Sequence, residues 1–182
     1  MQVGCGERDA VPGGQELGFE PVLSLRAVCA CTYGPLFVQA WRRQPLLAEQ
    51  IELSEAYEQM IERHPDGFAS MALIRIHEEF GSPDAQVRRL AIEQYRRLIP
   101  FVSVSSIVID SRGVALATVR VFMSALLKIV RPSTPTQIFS DFDEAFDWML
   151  ANAGPAGPAL SEREAQLRRA LLAWWEAQSS SS

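Results

Sequence analysis

The chain has almost no lysine, little histidine and little cysteine, and it lacks any long apolar run. Of 17 basic residues only Lys128 is a lysine, a bias we read as genome composition and not as chemistry. The two histidines, His64 and His77, leave little material for a Ser-His-Asp or Cys-His arrangement, which needs an activated nucleophile beside a base. His64 closes a helix, where the dipole favours a cation. His77 precedes Glu78 and Glu79 on an extended stretch, where consecutive side chains diverge, so a solvated loop is expected there and not a metal site. No Gly-x-Gly-x-x-Gly or other phosphate-cradling loop occurs.

Positive charge is also short. The formal net charge of -5 argues against a nucleic-acid or anionic-membrane binder, because neutralising phosphates needs a basic footprint. The arginine doublets Arg88-Arg89 and Arg96-Arg97 do not change this, since Glu93 lies four residues from both Arg89 and Arg97 and pairs along the helix. Among the 3 cysteines, Cys29 and Cys31 share one face of a strand without the Cys-x-x-Cys spacing of redox or zinc sites. They read as inert core thiols of a reducing compartment, the cytoplasm. Cys5 sits in a polar, Gly-rich N-terminus without the apolar stretch of a secretory signal. No segment approaches ~20 uninterrupted apolar residues, so no transmembrane span is expected.

What is present is material for a core. A chain of 182 residues with 48% hydrophobic content suits one domain plus tails. Ala27–Thr32 and Leu36–Trp41 flank Tyr33-Gly34-Pro35 and read as an antiparallel hairpin. Pro45–Arg63 is helical, with Leu46, Leu53, Tyr57, Met60 and Ile61 on one face and Glu49, Glu52, Glu55, Glu58 and Glu62 on the other. Phe68–Ile76 is a strand. Ser82-Pro83 starts a helix that runs to Leu98, and Val102–Ile109 is a central strand. A long apolar helix, Val114–Val130, a short strand, Thr136–Phe139, and a helix capped by Asp141-x-x-Glu144 complete the order ββαβαβαβα. The expected fold is α/β, a mixed, mainly parallel sheet with an N-terminal hairpin and covering helices.

The domain layout follows. Residues 1–21 read as a flexible tail, 22–153 as the α/β domain, 154–160 (with Pro155-Ala156-Gly157-Pro158) as a linker, 161–178 as an amphipathic helix and 179–182 as a disordered serine run. On the last helix Leu167, Leu171, Trp174 and Trp175 line one side. Such a helix is marginal alone and must dock on its own domain or on a second chain.

The hairpin, the alternating order, the closing segment QIFSDFDEAFDWML and the run Ile109–Gly113 (IDSRG) together resemble the STAS (SpoIIAA-like) domain, most of all the diverged myxobacterial STAS/SEC14-like proteins. The resemblance covers Val22 to Ala153. It implies a STAS-like fold and a signalling role, with a phosphorylation switch at Ser111. From the residues themselves, a helix N-terminus at Gly113 with Arg112 beside it offers an anion site, so Asp110, Ser111, Arg112 and Gly113 together form the expected anion or phosphorylation site. Arg112 stands where those regulators carry the phosphorylated serine, and the motif falls one strand late. Read from the residues alone, Asp110 or Ser111 caps a helix start.

The helix Val114–Val130 carries an apolar arc about twice the ~100° needed to cover one sheet. The excess has to be buried by a neighbouring helix or by another chain. The expectation is therefore a non-enzymatic, cofactor-free interaction module. It joins a protein partner or a second copy through Phe122, Met123 and Leu126 of that helix and through Trp174 and Trp175. The alternatives are an apolar-ligand carrier, as the SEC14-like resemblance implies, and a phospho-regulated switch at Ser111.

Overall fold

A computed structural model describes residues 18–75, 84–110 and 134–179. Among them lies one six-stranded sheet whose spatial order equals its chain order: β1 (Glu20–Ser24), β2 (Val28–Tyr33), β3 (Leu36–Trp41), β4 (Phe68–Arg75), β5 (Val102–Asp110) and β6 (Thr136–Phe139). β1, β2 and β3 form an antiparallel meander, and β3 to β6 run parallel. The mixed α/β architecture expected from the pattern is the one observed. Strands that alternate with helices close a parallel sheet through crossovers, and the two-residue link after Tyr33 closes the hairpin.

β1 is an addition to the expected order. Phe19 is already in the core, so the ordered fold begins inside the stretch assigned to the tail. Pro21 disguised this strand, yet proline is tolerated at a sheet edge, where its missing N–H deprives no neighbour.

Two layers of helices cover the sheet. On one face α1 (Leu47–Arg63) packs Leu53, Ala56, Tyr57 and Met60 with Phe37 and Phe68 of the sheet and with Leu98, the last residue of α2 (Ala85–Leu98). α2 is capped by Asp84, whose side chain accepts from the Gln86 N–H, so its cap lies beyond the expected Ser82; residues 76–83 are outside the described set. Glu93 pairs with Arg89 as anticipated, but Arg97 reaches across to Glu58 of α1 instead.

The opposite face is covered by α3 (Phe142–Asn152), a 3-10 turn (Gly154–Ala156), α4 (Gly157–Ser161) and α5 (Glu164–Ser179). Asp141 caps α3 by accepting from the Glu144 N–H, as its spacing predicts. Gly154, at φ +55, then takes the left-handed conformation that a helix end requires. The segment expected as a linker is a folded corner that buries Ala156 and Leu160. α5 belongs to the same hydrophobic cluster as Val38, Met71, Val104 and Phe146, so it is a layer of the domain and not an appendage. Arg168 fastens it to α3. Its guanidinium lies 4.7 Å from the Phe146 ring centre and bonds Asp143, Asp147 and Glu164. These carboxylates hold its pKa above the ordinary arginine range.

Candidate functional site

In open parallel sheets, groups meant for ligands gather at the carboxyl ends of the strands. Here β3 runs out into Arg42 and Arg43, β4 ends at Arg75 and β5 ends at Asp110. Arg75 and Asp110 are register partners. Alternation along the strands sends both side chains to the α5 face, since Arg75 follows Met71 and Leu73 in period while Asp110 follows Val104 and Val108. Arg75 Nε and Nη2 both lie 2.8 Å from Asp110 Oδ2, and the guanidinium sits 4.8 Å from the Trp175 ring centre.

Arg42 occupies the same face one strand further. Its Nη2 donates to Cys29 Sγ at 2.8 Å and to the Gln178 side-chain oxygen, while its buried Nε has no partner among the described residues. Both arginines therefore address the last turns of α5, where the helix dipole favours positive charge. Cys31, on the same strand face as Cys29, is fully buried. Burial, with a smaller push from the neighbouring Cys29, raises its pKa far above that of a free thiol, as expected of an inert core cysteine.

The other face carries a second anchored charge. Glu49, 8% exposed, was assigned to the solvated side of its helix by sequence pattern, and the structure corrects this. Oε1 accepts from the Ala27 N–H at 3.0 Å, Oε2 accepts from the Leu46 N–H at 2.8 Å, and Arg43 Nη2 pairs with it at 3.2 Å. This is half of a capping box, with Leu46 unable to reciprocate. Nearby, Gln39 Nε2 donates to the Tyr57 hydroxyl at 2.6 Å. Burial pushes the Tyr57 pKa up, against the hydrogen bonds from Ser70 and Gln39. Its phenol stays neutral at any physiological pH.

The sites expected from sequence divide into three groups. Asp110 stands at the end of a central parallel strand, and its carboxylate is engaged by Arg75, a residue that no motif marked. Ser111, Arg112, Gly113, Phe122, Met123 and Leu126 lie outside the described residues, as does His77. Trp174 and Trp175, expected as a docking surface, are 1% and 5% exposed and are spent inside the chain's own core. Trp174 fills the second face of the sheet, and Trp175 packs between Phe142, 6.1 Å away, and Arg75.

At this edge Arg75 pairs with Asp110 and Arg43 with Glu49, while Arg42 is held by Cys29 and Gln178. Among the described residues no group of three or more His, Cys, Asp or Glu side chains is placed to hold a metal ion, and no helix is long and apolar enough to cross a membrane. No family model matches the chain, and no curated protein or solved structure matches it at a significant level.

Proposed function

We propose that this chain is a non-enzymatic, STAS-like interaction module of bacterial cytoplasmic signalling that works by joining a protein partner, in the first place a second copy of itself. The observation that carries this reading is a strip of large apolar side chains at the start of α1. Leu46 is 60% exposed, Leu47 37% and Ile51 46%, and Leu47 and Ile51 are one helical turn apart. Single exposed apolar residues are ordinary, whereas a contiguous strip beside the carboxyl edge of a sheet is where a partner gains most from excluding water. The strip replaces the tryptophan pair as the surface on which the reading rests. The consecutive strand order and the position of Asp110 at a strand end also support a STAS-like layout.

Sedimentation velocity over a wide concentration range tests it. The sedimenting mass is expected to rise from one chain toward two, and the double variant Leu47→Glu/Ile51→Glu is expected to stay at one chain with an unchanged melting temperature. A single-chain mass for the parent protein at every concentration overturns the reading. The carrier alternative requires an enclosed apolar cavity; among the described residues Phe37 and Phe68 pack one face of the sheet and Met71 and Trp174 the other.

A further inference from the structure

α1 and α2 lie side by side on one face of the sheet, and their outward faces carry opposite charge. At about 100° per residue, Ile51, Glu55 and Glu62 fall within about 40° of one another on the solvent side of α1. Glu52, Glu55 and Glu62 are exposed and make no ion pair among the described residues. On α2, Arg89 and Arg96 share one line within about 20°, flanked about 40° away by the exposed Glu93 that pairs with Arg89. Arg88, Arg89, Arg96 and Arg97 are all exposed, and Arg88 and Arg96 have no acidic partner among the described residues. The one ion pair that links the two helices is Arg97 with Glu58, at 3.0 Å. Unpaired charges sorted by sign onto adjacent helices are a poor arrangement for a lone chain, in which interspersed signs would lower the self-energy of each stripe.

The sorting has a geometric consequence. A two-fold axis running along the helices, between two stacked copies, lays α1 of one copy over α2 of the other. Acidic stripe then meets basic stripe twice, as an isologous contact demands. An axis across the helices stacks α1 on α1 and α2 on α2, like charge on like, and is disfavoured by the same charges. The apolar strip Leu47 and Ile51 continues the acidic stripe toward the start of α1 and lies at the edge of such a contact. We infer that the α1/α2 face is the surface on which a second copy of this chain docks, in the orientation that crosses the acidic and basic stripes; the inference rests on the self-association proposed above.

Charge reversal with complementation tests it. Glu55→Arg/Glu62→Arg puts arginine on both helices, and Arg89→Glu/Arg96→Glu puts acid on both. Each variant alone is expected to weaken association by about tenfold or more, because every crossed contact becomes like on like. An equimolar mixture of the two is expected to recover it as a heterodimer, seen by native mass spectrometry of differently tagged chains. Association of the parent should also weaken with added salt, since the Debye length falls from about 10 Å at 0.1 M to about 3 Å at 1 M. Circular dichroism melts establish that each variant is folded, and Arg96→Glu alone, at an exposed and unpaired position, serves if a double variant is not. If the parent associates while both reversals associate equally well, or if the mixture restores nothing, this face is not the contact. If the parent never associates, the proposed function fails together with it.

Discussion

Replacing Trp174 by alanine distinguishes most sharply between a C-terminal helix that belongs to the fold and one that waits for a partner. Trp174 is 1% exposed within a cluster that includes Val38, Met71, Phe146, Leu167 and Leu171. A tryptophan side chain buries on the order of 200 Å², and at about 25 cal/mol per Å² its transfer term is about 5 kcal/mol as an upper bound. Measured Trp→Ala truncations in cores cost about 3–5 kcal/mol, so about 4 kcal/mol is expected. For a domain of this size each kcal/mol shifts the midpoint by about 2–4 °C, which gives a drop of about 8–16 °C in a thermal melt followed by far-ultraviolet circular dichroism. Arg169→Ala, exposed on the same helix, should stay within about 0.5 kcal/mol of the parent. Leu171→Ala, expected at about 2–5 kcal/mol, is the measurement to use if Trp174→Ala does not fold. A folded Trp174→Ala chain that melts within about 2 °C of the parent would refute the reasoning, because α5 would then carry none of the core.

Glu49→Ala should cost about 2–4 kcal/mol in urea unfolding, since it strands the Ala27 and Leu46 N–H groups and leaves Arg43 unpaired. Glu49→Gln, which keeps one acceptor, should cost less; equal losses would show that packing and not hydrogen bonding is at stake. Alkaline pH should destabilise the fold early. Both Cys31 and Tyr57 are held protonated by burial in the folded chain, with pKa values raised above those of the unfolded one. Their contribution is therefore complete at low pH and is lost as pH rises past the unfolded values of about 8.5 and 10, by up to about 1.4 kcal/mol per unit per group. Cys31→Ala should delay the onset into the phenol range, and urea midpoints taken every half unit check it; an unchanged onset counts against the buried-thiol assignment.

Which of these features could be read from sequence follows from how local their causes are. The β-branched and apolar runs of β2, β3, β4 and β5 announce themselves because strands covered on both sides of a sheet need apolar residues on both faces. The α3 cap is local chemistry within four residues, and it was legible for that reason. Glu49 was not. It joins a run of glutamates in α1, and only the fold brings the Ala27 N–H, 22 positions earlier in the chain, against its carboxylate. Leu46 failed in the opposite sense. It precedes the helix in an extended conformation, so helical periodicity does not govern where its side chain points. The tryptophans misled for a global reason. Pattern gives the amount of apolar surface on a helix but not which face of the sheet still lacks a cover, and the second face was open until α3, α4 and α5 filled it. Of the candidate site, only the place of Asp110 at the close of a strand was legible from the residues. Its partner Arg75 was not, because register across β4 and β5 is a property of the assembled sheet.

That register also decides how the strand edge will respond to mutation. Arg75 is held by two contacts of unequal kind, an ion pair to Asp110 and a stacking contact on Trp175. The Asp110 side chain is 47% exposed, and half-exposed pairs contribute no more than about 1 kcal/mol. Asp110→Asn should therefore leave stability nearly unchanged, with Arg75 still resting on the indole. Arg75→Ala removes both contacts and uncovers Trp175 beside the end of α5, for a loss of about 1–2 kcal/mol, most of it from packing and cation–π attraction. Arg75→Met, which keeps the stem over the ring, should recover part of that loss if packing dominates. If Asp110→Asn instead costs as much as Arg75→Ala in urea unfolding, the ion pair is the main fastening and the stacking contact is incidental. If it costs nothing yet abolishes association, then Asp110 is held at the sheet edge for a partner and not for the fold.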